Sequence, residues 1–307
     1  MQVTVPCFAK LNLDLRVLHK RPDDYHELRT IFQTISLKDS LQVEYEPAKR
    51  TQINLSSSIE IEDNVVVRSA KMVLGHLKRT AWVRFVINKQ IPLGAGLGGG
   101  SSDAAAVLIA LPALAGKHIP FPDLVRLAES LGSDVPFFLQ GGTALGVGRG
   151  SEIYPLPDLP PTIALLVSPG IHVSTANAYR ALNRTALTSP AESPILREFQ
   201  TIAWNLAGSS LDQLPLKNDF EEAVFGIHKQ LAVQVRKLRK LGAKPALMTG
   251  SGSALFGIFK DIADAQAAAS QFPAGWAHLV RFVSRRQYRN LWRRSLGPAA
   301  EASCFAQ

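Results

Sequence analysis

The chain has 307 residues, 46% of them hydrophobic and 19% charged, with a formal net charge of +9 at pH 7. A chain of this length usually divides into two domains, because single hydrophobic cores stop growing at about 250–300 residues. Its two cysteines, Cys7 and Cys304, exclude a disulfide framework and a cysteine-rich metal site, which favours a reducing, cytoplasmic setting.

The first half of the chain mixes strand and helix patterns. Apolar and polar residues alternate from residue 3 to residue 18, which predicts a half-buried strand, and a polar turn at residues 38–40 precedes a second strand at residues 41–45. Further elements are a helix at 64–77, a strand at 82–88, a helix that begins near Asp103 and a helix at 120–131 that ends at Gly132.

Four prolines between residues 155 and 161 interrupt regular structure and mark the predicted domain boundary, which gives domains 1–155 and 156–307. The second half then predicts a buried strand at 163–169 and a strand, glycine turn and strand at 246–259. Helices are predicted at 175–183, 195–207, 220–241 and 262–271. This mixture without strict βαβ alternation favours the α+β class, and the tail at 297–307 is expected to be disordered.

The positive charge leaves two interpretations open. Clustered Lys and Arg bind nucleic-acid backbones, and a basic protein also attracts small polyanionic substrates. The densest basic runs, 236–240 and 285–294, have helical spacing with apolar residues between the charges, which favours solvated faces of amphipathic helices over a nucleic-acid surface. The longest apolar run, residues 104–116, is too short to span a membrane, and no export signal is expected.

The most informative segment is PLGAGLGGGSSDAAA at residues 92–106, where five glycines precede two serines and a strong helix pattern. Glycine allows positive φ and close approach of the backbone, and the start of the following helix adds free N–H donors and a positive dipole end. The segment is therefore predicted to bind phosphate.

Other glycine-rich loops fit this segment less well. Gly94, Gly96 and Gly99 satisfy G-x-G-x-x-G, but the strand ending in an acid that dinucleotide binding requires about 20 residues later is missing. A P-loop needs Lys before Ser or Thr, whereas Gly100 is followed directly by Ser101. Protein-kinase signatures are not found, and a flexible linker does not normally separate a strand from a strong helix.

The same segment resembles the phosphate loop of the GHMP kinases. The resemblance extends, in order and over nearly the whole chain, to AKLNLDLRV, RPDDYHEL, LGSDVPFFLQGGTALGVGRG, PGIHVSTANAY, KNDFE and MTGSGSALFG, at residues 9–17, 21–28, 131–150, 169–179, 217–221 and 248–257. These segments are most similar to the members that act on a cytidine-diphosphate-linked methylerythritol. The implied fold has an N-terminal ribosomal-protein-like β/α domain and a C-terminal α/β sandwich domain, with the active site between them.

The resemblance implies ATP-dependent phosphorylation of the 2-hydroxyl of that substrate, in the non-mevalonate isoprenoid pathway. Asp134 would accept or orient the hydroxyl proton, and Lys10 beside it would keep the carboxylate ionised and stabilise charge on the attacking oxygen. ATP would contact Asn64, Val65, Lys89, Gly94, Gly96, Leu97, Gly98, Gly99, Gly100, Ser101 and Ser102. Mg²⁺ is expected with ATP, which together with Ser102 would supply most of its ligands, since no carboxylate set marks a metal site.

Substrate recognition by resemblance involves a second group of residues. Tyr25, His26 and Tyr179 would hold the cytosine, and Asn12 and Thr175 would contact the methylerythritol diphosphate. Without the resemblance, Tyr25 and His26 would be ordinary loop residues and Asp134 a turn residue. The glycine turn at residues 249–252 either closes over the site or serves only as a hairpin turn.

Two positions depart from the family pattern, with Asp24 in place of Gly and Asp103 in place of Asn. At the first we expect either a different backbone conformation of the loop or a small left-handed backbone cost. At the second we expect an acid that suits the dipole of a helix start but lies near the phosphates. Competing functions are another GHMP kinase, on mevalonate, homoserine or a sugar, and a nucleic-acid-binding protein. Tyr25, His26 and Tyr179 favour a substrate with a nucleobase over mevalonate, homoserine or a sugar. The shared catalytic segments favour a small-molecule partner over nucleic acid or a membrane. The sequence leaves the oligomeric state open.

Overall fold

The computed structural model describes residues 1–58, 64–182 and 194–305, and its first half is built on a six-stranded sheet. The strands are β1 (Gln2–Lys20), β2 (His26–Pro47), β3 (Gln52–Ser57), β4 (Ala81–Asn88), β5 (Thr143–Val147) and β6 (Glu152–Pro155). Their order is β3-β4-β2-β5-β6, with β1 paired to β2. The helices of this half are α1 (Val65–Leu77), α2 (Gly99–Leu114) and α3 (Phe121–Leu131).

The second half carries a four-stranded antiparallel sheet of order β10-β7-β9-β8. Its strands are β7 (Ile163–Val167), β8 (Ala246–Met248), β9 (Leu255–Phe259) and β10 (Ala277–Arg281). The helices are α4 (Thr175–Ala181), α5 (Pro194–Asn205), α6 (Phe220–Ile227), α7 (Lys229–Lys240), α8 (Ile262–Ala269) and α9 (Arg285–Leu296). Helices packed on two largely antiparallel sheets confirm the predicted α+β class.

Both faces of strand β1 are buried, one carrying apolar and the other polar side chains. Ala9 and Leu11 join a buried apolar cluster, whereas Lys10 and Asn12 are also buried but hydrogen-bond to each other. Successive side chains of a strand point to opposite faces, so this alternation places two polar groups together on one side. Buried polar groups need partners, and the positions of these partners locate the site described below.

Several elements differ from their predicted bounds. The polar turn expected at residues 38–40 lies inside β2, which continues because its backbone pairs with both β1 and β4 there. The helix expected at 220–241 is two helices, broken at His228 with φ −112° and ψ 71°, after a glycine that weakens the last turn of α6. Helix α2 begins at Gly99, before the predicted start near Asp103. Residue 183 of the predicted helix 175–183 lies outside the described residues.

The chain returns to the first half at its C-terminal end. Tyr288, Trp292 and Leu296 of α9, together with Phe305, belong to the apolar cluster formed by α1, α2 and the first sheet. The expectation of a disordered tail is therefore wrong for residues 297–305, because Phe305 is fully buried against Trp292 and Tyr288. The domain division at residues 155 and 156 stays a prediction. Among the described residues, no helix has the length and apolar character to cross a membrane.

Candidate active site

A cavity of about 290 Å³ lies where strand β1, the glycine segment and the second half of the chain meet. Lys10 and Asp134 both line it, and so do Gly96 and Gly98. The remaining predicted substrate residues that line it are Asn12, Tyr25, His26, Thr175 and Tyr179. Segments far apart in the sequence thus converge on one cavity, as the resemblance implied.

Lys10 is held at the floor of this cavity with its ammonium group almost fully enclosed. The residue is 2% exposed, and its Nζ lies 3.2 Å from Asp134 Oδ2 and 2.6 Å from Asn12 Oδ1. Its backbone N–H donates to the Leu97 carbonyl at 3.0 Å, which joins β1 directly to the glycine segment. The charge of Lys10 is therefore positioned by protein groups and directed at the carboxylate.

Asp134 is in contact with Lys10 but remains open to the cavity. It follows α3, which ends at Gly132, and it precedes a buried 3₁₀ turn, Pro136–Leu139. Its side chain is 32% exposed, in contrast to the 3% of the Lys10 side chain. An ionised carboxylate in this position is fixed on one side and can accept a hydrogen bond from a ligand on the other.

The glycine segment, residues 94–102, approaches its neighbours too closely for side chains. Gly94, Gly96 and Gly98 have φ of 62°, 79° and 72°, and a Cβ at Gly96 would lie 2.5 Å from the Thr249 carbonyl oxygen. Gly98 is the N-cap of α2, and the first N–H groups of a helix have no intrahelical acceptor. Such N–H groups beside a cavity form an anion site.

The second glycine turn, residues 249–252, packs backbone to backbone against the first glycine segment. The Ala254 N–H donates to the Ala95 carbonyl at 3.0 Å, and the Asn12 N–H donates to Thr249 Oγ1 at 2.9 Å. Gly250 and Ser251 line the cavity, and Ser251 Oγ is 2.8 Å from Thr175 Oγ1. This turn therefore forms part of the cavity wall.

Asn218 holds this second turn from behind. Its Nδ2 donates to the Met248 and Gly250 carbonyls at 2.9 and 2.8 Å, and its Oδ1 accepts from the Phe220 N–H at 2.9 Å. The matched segment KNDFE contains this residue, but only the fold shows what it supports. Sequence reasoning assigned no role to Asn218 or Ser251.

The aromatic residues form the outer end of the cavity. His26 stacks on Tyr179 with ring centroids 4.8 Å apart and an interplanar angle of 23°, and Tyr179 packs edge-on against Phe220. Burial, with smaller contributions from Lys20 and His19, lowers the pKa of His26, so the imidazole is neutral at pH 7 and has one acceptor nitrogen. Burial, followed by the nearby Asp134 charge, raises the pKa of Tyr179 to about 12.

Tyr25 lies at the rim with 53% of its surface exposed, and the Arg149 guanidinium lies 4.5 Å from its ring centroid. Arg149 lines the cavity and falls within the matched segment 131–150, although it was not singled out from the sequence. Asp24, beside Tyr25, adopts φ of 64°. The left-handed backbone expected at this departure is thus confirmed.

Of the residues predicted to contact ATP, only Gly96 and Gly98 are among the described residues that line this cavity. Asn64 caps α1 by accepting from the Val66 N–H at 3.0 Å, and Val65 begins that helix. Lys89 is buried between Asp39 and Asp103. Their contact with ATP stays a prediction, as it does for Gly94, Leu97, Gly99, Gly100, Ser101 and Ser102, which lie along the same loop and first helical turn.

The described residues contain no group of three or more His, Cys, Asp or Glu side chains arranged to bind a metal ion. Asp134 is the carboxylate in the cavity wall, and Lys10 already neutralises it. Ser102, expected beside Mg²⁺, is 2% exposed at the start of α2. That ATP carries the cation mainly on its phosphate oxygens stays a prediction.

Two family models match this chain. Residues 64–142 match the model described as GHMP kinases N terminal domain, and residues 195–278 match that described as GHMP kinases C terminal. A crystal structure of homoserine kinase from Cytophaga hutchinsonii superposes with a TM-score of 0.71, at 18% identity over 92% of this chain and 95% of that one. The fold and the cavity therefore define a kinase of the GHMP class.

Relatives at higher identity narrow the class. The chain is 50% identical over 291 residues to the 4-diphosphocytidyl-2-C-methyl-D-erythritol kinase of Solibacter usitatus. The aligned region covers 94% of this chain and 91% of the relative. The kinase of the same name from Thermodesulfovibrio yellowstonii is 35% identical over 91% of this chain and 97% of the relative. A crystal structure of 4-(cytidine 5'-diphospho)-2C-methyl-D-erythritol kinase superposes with a TM-score of 0.75 at 36% identity, over 92% of this chain and 99% of that one. The chain belongs to this family of 4-diphosphocytidyl-2-C-methyl-D-erythritol kinases.

Proposed function

We propose that this chain transfers the γ-phosphoryl group of ATP to the 2-hydroxyl of 4-diphosphocytidyl-2-C-methyl-D-erythritol. The observation that carries the proposal is the Lys10–Asp134 pair, 3.2 Å apart, in the same cavity as Gly96 and Gly98. Phosphoryl transfer to an alcohol needs a held triphosphate, an aligned hydroxyl and compensation of charge. One cavity offers groups for all three.

The chemistry assigns a role to each group. The N–H donors of residues 96–102 and the start of α2 hold the phosphates, and Asp134 orients the acceptor hydroxyl through its open carboxylate oxygen. The hydroxyl oxygen bonds to the γ-phosphorus as the bond between that phosphorus and the β–γ bridging oxygen breaks, which releases ADP. The hydroxyl proton passes to Asp134, and Lys10 stabilises the charge that develops on the attacking oxygen.

The aromatic end of the cavity suits a cytosine base. The neutral imidazole of His26 offers one donor and one acceptor to the edge of a pyrimidine, and the faces of Tyr25 and Tyr179 offer stacking surfaces worth about 1–3 kcal/mol per base. Because His26 covers one face of Tyr179, the imidazole must rotate off that ring for a base to stack there. Asn12 and Thr175, which also line the cavity, are assigned to the methylerythritol diphosphate.

Mg²⁺ belongs to this proposal as a companion of ATP. Ser102 is the protein group assigned to it, and when bound the cation neutralises charge on the β- and γ-phosphate oxygens. Asn64, Val65 and Lys89 are assigned to the nucleotide by resemblance alone. A cytoplasmic role on small molecules, without nucleic acid or membrane partners, completes the proposal.

The test is product analysis with the purified chain, ATP and three acceptors offered separately: the cytidylyl methylerythritol, mevalonate and homoserine. RNA is offered in a fourth reaction as an ATPase effector. We expect a new phosphomonoester only with the first acceptor, with phosphorus–carbon coupling at carbon 2 in the NMR spectrum. Asp134→Asn is the inactive comparison, and Asp123→Asn, an aspartate on α3, is the matched control. Phosphorylation of mevalonate or homoserine but not of the cytidylyl substrate would refute the assignment.

A further inference from the structure

A second group of charges lies beneath the glycine segment and does not line the cavity. Lys89 Nζ is 2.8 Å from Asp103 Oδ2 and also contacts Asp39 Oδ2. The side chains of Lys89, Asp39 and Asp103 are 2%, 0% and 5% exposed, respectively. We call these three residues the charge cluster. Asp39 lies in β2, Lys89 directly follows β4, and Asp103 lies just after the first turn of α2.

The charge cluster is hydrogen-bonded to the backbone just before the glycine segment. Asp39 Oδ1 accepts the backbone N–H groups of Gln90 and Ile91 at 2.5 and 2.8 Å. The Ile91 side chain in turn packs under Gly99, where an added Cβ would come within 3.1 Å of it. A carboxylate that accepts two consecutive N–H groups fixes the direction in which the chain leaves strand β4.

The charge cluster also holds the chain just after the glycine segment, through the bond between Lys89 and Asp103. Asp103 lies just after the first turn of α2, and its bond to Lys89 ties the start of that helix to the residues before the loop. The loop between these two anchors contains Gly94, Gly96 and Gly98, all at positive φ. Glycines supply no side chains to restrain a loop and are conformationally permissive. The shape of the loop therefore depends on the backbone hydrogen bonds to Ala95 and Leu97 in its middle and on how its two ends are held.

We propose that Asp39, Lys89 and Asp103 are positioning residues that cross-link both ends of the phosphate loop and so set its fit to the triphosphate of ATP. This inference rests on the proposed function, since it assigns ATP to the loop. On this proposal Lys89 influences ATP binding indirectly, through the backbone of the loop. Its ammonium group is enclosed by two carboxylates and does not reach the cavity wall.

The charges in the cluster do not balance, which makes it sensitive to substitution. One ammonium faces two carboxylates, and the other oxygen of Asp103, Oδ1, is buried without a nitrogen or oxygen donor among the described residues. The groups that face Asp103 are Lys89, Asp39 and the Cys7 thiol. Burial, opposed by Lys89 and reinforced by Asp39, raises the pKa of Asp103 to about 6. The same two carboxylates raise the pKa of Lys89 against the effect of its burial.

Two variants separate positioning from bulk stability. Lys89→Met leaves two buried carboxylates without a cation, which typically costs about 3–5 kcal/mol and threatens folding. The double variant Lys89→Met, Asp103→Asn restores the wild-type net charge of the cluster but not the cross-link. We expect the double variant to fold, with Kd for ATP raised about tenfold or more, and with kcat at saturating ATP and KM for the alcohol changed less than about threefold.

The matched control is Arg84→Met, which removes another cation from β4, one that pairs with Glu44 at 3.4 Å on the surface. We expect ATP affinity to be unchanged in this control. Binding of ATP is measured by calorimetry without any alcohol substrate, so the outcome does not depend on which acceptor the enzyme uses. Wild-type ATP affinity in the double variant, or equal losses for ATP and the alcohol, would overturn the inference.

Discussion

Lys10 and Lys89 are two lysines with enclosed side chains that lie beside aspartates, and their surroundings give them different capabilities. Lys10 pairs with one carboxylate, Asp134, whose side chain is 32% exposed to the cavity. Lys89 pairs with two, Asp39 and Asp103, which are sealed from solvent. An open carboxylate has lone pairs left for a ligand, whereas sealed carboxylates can act only on the protein around them. Exposure therefore distinguishes the reacting pair from the supporting one.

Removing either member of the open pair is expected to have the largest effect. Asp134→Ala or Lys10→Ala should lower kcat roughly 10²-fold or more, because each removes proton transfer or charge stabilisation at the reacting oxygen. Circular dichroism and thermal melts should show that the fold survives. Steady-state kinetics in which either variant keeps most of the wild-type kcat would remove the distinction between the two lysines.

Breaking the sealed cluster should instead appear in stability and its pH dependence. The folded-state pKa of Asp103 is about 6, above its ordinary value of 3.8, so the folded state binds this proton more tightly than the unfolded state. Its contribution to the free energy of unfolding is fully present below pH 3.8 and is lost as the pH rises through about 6. Over that window the loss amounts to about 3 kcal/mol, at about 1.4 kcal/mol per pH unit of displacement.

Asp103→Asn cannot titrate and should lack this slope. Urea unfolding of the two proteins from pH 4.5 to pH 7.5 should therefore favour the variant increasingly as the pH rises, with the difference levelling above about 6. Parallel curves for Asp103→Asn would show that the cluster accommodates both carboxylates without penalty.

The open pair was accessible from the sequence, and the sealed cluster was not. Lys10, Asp134 and the glycines lie in short segments whose sequences resemble those of a known family. The resemblance therefore predicted that these residues line one cavity. Asp39 and Lys89 are separated by 50 positions, and nothing in either neighbourhood marks them as partners until β2 and β4 pair. Asp103 stood out only as a departure from Asn, and its consequence depended on the neighbours that the fold supplies.

The wrong predictions about the fold also come from contacts between residues that are far apart in the sequence. The polar residues 38–40 have the composition of a turn, but pairing on both sides of β2 overrides that local preference. Phe305 is the one large apolar residue of the tail, so its burial against Trp292 was not predictable from composition. In each case a long-range contact determined the outcome, which local periodicity does not record.

The aromatic end of the open cavity offers a smaller effect that sharpens the contrast, because it concerns binding without chemistry. Tyr25→Ala should raise KM for the cytidylyl substrate about 5- to 150-fold with kcat less affected, as loss of one stacking contact of about 1–3 kcal/mol implies. Substrate titrations at saturating ATP measure it, with Tyr154→Ala, another exposed tyrosine, as the control. An unchanged KM would refute a stacking role for Tyr25.

The smallest expected effect concerns the turn that presents Tyr25. Asp24 has φ of 64° and a 2.6 Å ion pair with Lys20 in which both side chains are largely exposed. A left-handed backbone costs an ordinary residue about 1–2 kcal/mol and Asp somewhat less, whereas an exposed pair contributes little. Asp24→Gly should therefore be neutral to stabilising by up to about 1 kcal/mol in thermal or urea unfolding, despite the freedom that Gly adds to the unfolded chain. Substantial destabilisation would mean that the Lys20 pair, although exposed, holds the turn, and exposure would then be a weaker guide to function than the two lysines suggest.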